Sequence, residues 1–142
     1  MRRCACLLTI AFITPALCAA DAPDTPSDAA KFKTLRDSYL AAYKPLWLDA
    51  QAAWWEANTT GSDAAFKRKQ TADEALARLH SDPIVFKQLT SLRDAGNVTD
   101  PVLHRELDVM YYTFLPFQAD PAVQKTIIAM ENEVEQTFNT HR

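Results

Sequence analysis

Three histidines, His80, His104 and His141, are the side chains best suited to metal or proton chemistry in this 142-residue chain. A zinc peptidase site needs two histidines one helical turn apart, with a glutamate between them to activate water. None of the three has a second histidine three to five positions away. His104-Arg105-Glu106 is the nearest acid–histidine cluster; His104 flanks the apolar Leu103 at a helix start and reads as a surface group. Glu131, Glu133 and Glu135 could supply a carboxylate pair for acid–base work. Their two-residue spacing on a helix turns them away from one face, so they read as a solvated edge. Gly61 and Gly96 are the only glycines, too few for a phosphate-cradling loop, and no serine sits in a Gly-x-Ser-x-Gly setting. No Cys-x-x-Cys-His is present for covalent haem. No catalytic, metal-binding or cofactor-binding residue is therefore assigned in this chain.

The cysteines do no chemistry either. Met1-Arg2-Arg3 is a short positive start, Cys4 to Thr14 is an apolar run, and Pro15 breaks it. Ala16-Leu17-Cys18-Ala19-Ala20 offers small residues for cleavage, most simply before Asp21. This is the pattern of a cleavable signal peptide over 1–20, and the run is too short to span a membrane. An uncleaved N-terminal anchor is the competing reading. Cys4, Cys6 and Cys18 all leave with the leader, so the mature chain has no thiol. Lipidation at Cys18 is disfavoured because Leu17 stands where a small residue is expected. The expected localisation is exported, periplasmic or extracellular, with no membrane span after cleavage. Loss of Arg2 and Arg3 takes the formal charge from −3 to −5, which speaks against a nucleic-acid partner. Lys67-Arg68-Lys69, the one basic cluster, reads as a solvated helix face.

The elements that would position any site are helices. The chain is 48% apolar and shows no sustained apolar–polar alternation. The fold expected is all-α, with about five helices, joined by short connections that favour antiparallel neighbours. After a flexible lead over 21–26, residues 27–142 form a single helical domain or a fragment of a larger one. The first helix is expected from about Pro26 to Ala57, with Thr25 as cap. Phe32, Leu35, Tyr39, Ala42, Tyr43, Leu46, Trp47, Ala50, Trp54 and Ala57 recur at helical spacing along it. Pro45 removes one N–H inside this helix and predicts a bend or short break. All three tryptophans, Trp47, Trp54 and Trp55, lie here. Each ring buries roughly 150–250 Å², so the rest of the chain is expected to supply a large apolar partner surface.

Ser62 caps a second helix, Asp63 to about Leu79. Asp82-Pro83, Asp100-Pro101 and Asp120-Pro121 each open a further helix by the same cap-plus-proline device. Gly96-Asn97 stops the third and Pro116 ends the fourth near Leu115. The fifth carries Val123, Ile127, Met130, Val134 and Phe138 as one stripe. Trp54, Trp55 and Tyr111 are the candidate aromatics for a cleft or partner surface; a generous aromatic core is the plainer reading. The sequons at Asn58 and Asn97 fall in expected loops and are candidate glycosylation positions.

The run Trp47 to Thr60 (WLDAQAAWWEANTT) and the charged helix after it resemble the N-terminal helices of the peptidyl-dipeptidases related to angiotensin-converting enzyme. Leu115-Pro116-x-Gln118, the run Ile127 to Glu131, and the ending from Glu135 to Arg142 are similar to later segments of that family. The resemblance implies an exported, mostly helical zinc carboxydipeptidase that releases C-terminal dipeptides, whose N-terminal helices form a lid over a deep cleft. The family's His-Glu-x-x-His motif has no counterpart here, so no zinc ligand is carried over. The implied partners are the remainder of the peptidase body and, in the complete enzyme, zinc and a peptide substrate. The competing reading is a free-standing exported helical binding or scaffold module.

Overall fold

A computed structural model describes residues 26–141, and these are all helix and short connection. Five α-helices follow in order: α1 (Asp28–Thr60), α2 (Asp63–His80), α3 (Pro83–Ala95), α4 (Pro101–Phe114) and α5 (Pro121–Thr140), with a 3₁₀ turn at Leu115–Gln118 between the last two. Ser62, Asp82, Asp100 and Asp120 each accept a hydrogen bond from a backbone N–H of the first turn they open, which satisfies donors that have no partner inside the helix. The first helix departs from expectation. Its cap is Ser27, accepting from Ala30 N at 3.2 Å, so Pro26 lies before the helix. Thr25 and the expected leader over 1–20 lie outside the described residues. At the other end α1 continues past Ala57 to Thr60, where Gly61 stops it in the left-handed conformation (φ 66°).

α1 runs on through Pro45 as one long helix, as expected, without a short break at the proline. Its 33 residues make a spine about 50 Å long. α2 lies antiparallel along its C-terminal half: Ala57 meets Ala65 and Phe66, Ala50 and Ala53 meet Ala72, and Tyr39 meets His80. α3 continues in the same direction along the N-terminal half, until Asn97 beyond its end donates to Asp28 at 2.8 Å. α4 returns alongside, with Arg36 donating to Glu106 at 2.7 Å and Tyr39 against Phe114. α5 carries on past α2, from the Ser81 end to the Asp63 end, where Gln136 donates to Asp63 at 2.7 Å. The molecule is thus one unbroken helix flanked by two that are each interrupted once.

Both interruptions sit at one level. There His80 packs among Tyr39, Tyr43, Phe114 and Phe117. The Gln118 side-chain N–H donates to the backbone carbonyls of His80 and Phe114, at 3.0 and 3.1 Å, and so ties the two interrupted helices together. Pro45 follows two residues after Tyr43, so the spine lacks a hydrogen bond close to the same waist.

The waist separates two unlike cores. The N-terminal half is filled by Phe32, Leu89, Leu92, Val98, Leu107, Met110 and Phe114. Burying such side chains contributes about 1.5–3 kcal/mol each. The C-terminal half is held by small residues, Ala50, Ala53, Ala57, Ala65 and Ala72, with Phe66 as its one large buried ring. Alanine lets α1 and α2 approach closely but removes little apolar surface from water. The tryptophans do not make up the difference: Trp47, Trp54 and Trp55 are 42%, 44% and 66% exposed. The partner surface that the sequence asks for is not supplied within the described residues.

Candidate functional site

α5 is amphipathic in the opposite sense to a helix of a self-sufficient domain. Its fully buried residues are Ile128 and the polar Asn132. Glu135 and Asn139 turn toward the same side, while Val123, Ile127, Met130, Val134 and Phe138 are between 42% and 76% exposed. The apolar stripe faces out and the polar residues face in.

The inward side is organised around Lys69 of α2, which is only 7% exposed. Its Nζ donates to Asp73 at 2.9 Å and to Asn132 Oδ1 at 3.1 Å, and lies 2.9 Å from Glu135. The expectation of a solvated Lys67-Arg68-Lys69 face is corrected here. Lys69 falls three residues after Phe66 and three before Ala72, so it shares their buried face. Arg68 bridges back to α1, at 2.8 Å from both Asp49 and Glu56. Asn58 Nδ2 donates to Glu135 at 2.9 Å, and Asn139 donates to Asn58 Oδ1 at 2.7 Å. Burial pushes Glu135 up, but the hydrogen bonds from Asn58 and Lys69 outweigh it and hold the carboxyl below the ordinary range. Burial likewise works against the Lys69 charge, and its bonds to Asp73 and Glu135 win, leaving the ammonium above its usual value. This network fastens α5 in one register, so the outward stripe follows from how the inner side is tied down.

On the outer side Ile127, Met130, Val134 and Phe138, with Glu131 and Glu135, line a shallow, open and almost wholly apolar depression. Trp54 of α1 lies near Glu135 there and adds slightly to the lowering of its carboxyl. Trp55 is the more exposed of the pair, as adjacent residues on a helix must face different ways. Tyr111 lies in the other half of the molecule. It stacks on Phe86 at 5.4 Å between ring centres and sits under Arg93 at 4.5 Å, which makes it half-buried packing at the edge of the N-terminal core. The three candidate aromatics therefore do not converge on one cleft among the described residues.

Asn58 lies in the last turn of α1, not in a loop, with both ends of its amide engaged. Asn97 is in a loop and exposed. His104 is exposed, 3.7 Å from Asp108. No three His, Cys, Asp or Glu side chains converge in a way that could hold a metal among the described residues. Glu131 and Glu133 are exposed, but Glu135 is half-buried in the network with Lys69 and Asn58, so the expected solvated edge is corrected at Glu135.

Sequence reasoning missed His80 as a structural centre. It is 6% exposed, its Nδ1 has no hydrogen-bond partner among the described residues, and burial lowers its proton affinity. The usable signal was its place three residues after Ala77 and four after Leu76, on the packed side of α2. Comparison with protein-family models, with curated proteins and with solved structures finds no match for this chain.

Proposed function

We propose that this chain is a non-catalytic helical lid segment, exported behind a cleavable signal peptide over 1–20, which seats its α5 face on a larger body. One observation carries the reading: the best apolar stripe of α5 points away from the chain's own core. A contiguous apolar face on a small exported chain marks an interaction site or an aggregation liability. The resemblance over Trp47 to Thr60 and Glu135 to Arg142 names the body as a zinc peptidyl-dipeptidase. In that arrangement the zinc and the dipeptide-releasing chemistry belong to the body, and no residue here is assigned to them. A bend at Pro45, setting the angle between the two halves of the spine, is part of the same reading.

The test is the exported chain by itself. It should bind an apolar dye strongly, and neither hydrolyse peptides nor retain stoichiometric zinc. An in-frame His-Glu-x-x-His in the reading frame beyond Arg142 would identify the body directly. A monodisperse chain that binds no dye would instead favour a free-standing binding module, to which the well-filled N-terminal core lends support. Zinc-dependent cleavage by the chain alone would sink both.

A further inference from the structure

The α5 stripe has a rim, and the rim has a sign. Glu131 and Glu133 are exposed beside it and take part in no ion pair among the described residues. Glu135 at its inner edge is already committed to Lys69 and Asn58. The one basic residue of α5, Lys125, lines a separate depression with Glu74 and Arg78 against α2. An apolar stripe at three- and four-residue spacing is the geometry that receives another helix. Free carboxylates along it select the charge of that helix.

We propose that the outer face of α5 receives an amphipathic helix of a partner polypeptide whose apolar stripe is flanked by lysine or arginine. This rests on the reading of the chain as a segment that docks on a larger body, and it gives the chemistry of the element that meets α5. Two other occupants fit less well. A second copy paired through α5 would bring Glu131 and Glu133 of both chains together, and like charges across an interface oppose association. An anionic lipid surface is repelled by the same carboxylates, and α5 shows the lipid no basic flank.

The experiment uses the exported chain and two synthetic 18-residue helical peptides with one leucine stripe, flanked by lysine in one and by glutamate in the other. Tryptophan emission reports binding, with Trp54 beside the site. The lysine peptide should bind at least tenfold more tightly than the glutamate peptide, and the preference should shrink as salt is added. Glu131→Lys with Glu133→Lys should reverse the preference. Asp37→Lys with Asp94→Lys, the same charge change on the N-terminal half, should leave it in place. Val134→Asp, at an exposed position, should abolish binding of both peptides with the helical circular dichroism unchanged. Equal affinity for the two peptides, a preference indifferent to Glu131 and Glu133, or association only with itself or with phosphatidylcholine vesicles would overturn the proposal. If the chain binds the apolar dye but neither peptide, the cationic helix is wrong and the docking reading stands. If it binds neither dye nor peptide, both fall.

Discussion

The Tyr39 hydroxyl lies 3.1 Å from Nε2 of His80, and this contact ties the middle of α1 to the last residue of α2. The imidazole is enclosed by the rings of Tyr39, Tyr43, Phe114 and Phe117, and its Nδ1 has no partner among the described residues. Nothing charged in that ring cluster compensates an imidazolium, so burial holds His80 below the usual histidine range. The unfolded chain then binds the proton more readily than the folded one. Stability is full above the unfolded value near 6.5 and is lost as pH falls below it, at up to about 1.4 kcal/mol per pH unit for one proton. Urea midpoints of the native chain should fall between pH 7.5 and pH 5.5. His80→Gln should flatten that slope; an unchanged slope in the variant would place the titration elsewhere.

The same contact governs the alkaline side. Burial first, and the neighbouring Tyr43 second, push the Tyr39 hydroxyl up to about 12 from 10.0. A raised phenol contributes stability that is complete below the unfolded value and drains away as pH climbs toward the folded one. Tyr39→Phe should remove that part of the alkaline loss. It also leaves both His80 nitrogens without a partner, a cost of about 1–3 kcal/mol at neutral pH. Tyrosinate absorbance during an alkaline titration checks the assignment: one phenol fewer should ionise late in the variant.

Much of the fold was legible because helix starts are local chemistry. Asp82-Pro83, Asp100-Pro101 and Asp120-Pro121 combine a side-chain acceptor with a residue that needs no N–H bond, and all three open helices where expected. Thr25-Pro26 offers the same pattern in sequence, but Ser27 is the residue that caps α1, accepting from Ala30 N. Direction of facing was not legible on α5. Periodicity shows that Val123, Ile127, Met130, Val134 and Phe138 share a side; it cannot say whether that side is covered. Lys69 decides the matter from another helix by drawing Asn132 and Glu135 inward, and a contact sixty-three residues apart in sequence leaves no mark in a local pattern. The tryptophans misled for a related reason: alanines fill the α1–α2 seam, and the indole rings stay largely exposed.

Removing Lys69 should therefore do more harm than a lysine-to-neutral change usually does. Lys69→Met fills most of the volume but strips a donor from Asp73, Asn132 and Glu135 together. The expected loss is about 3 kcal/mol, near the lower end for breaking a buried pair, because both carboxylates still reach solvent. Pairing it with Glu135→Gln should recover part of the loss, since the leftover buried charge is the larger cost. Glu135 is held below its unfolded value of 4.5, so its share of stability is present above that pH and fades as pH falls below it. Denaturant midpoints at pH 7 and pH 3.5 should accordingly converge for wild type and Lys69→Met.

The orientation of α5 can be read from two substitutions that composition alone would rank the other way. Phe138 is the larger residue and ends the stripe, yet it is 76% exposed, whereas Ile128 is 7% exposed against α2. Phe138→Ser should change stability by no more than about 0.5 kcal/mol, as exposed positions usually do. Ile128→Ala should cost about 2–4 kcal/mol through lost burial and the cavity it opens. Dye binding should respond in the opposite order, falling with Phe138→Ser and holding or rising with Ile128→Ala. If Phe138→Ser proves the more destabilising, α5 packs with its stripe inward, and both the docking face and the helix proposed to meet it are lost.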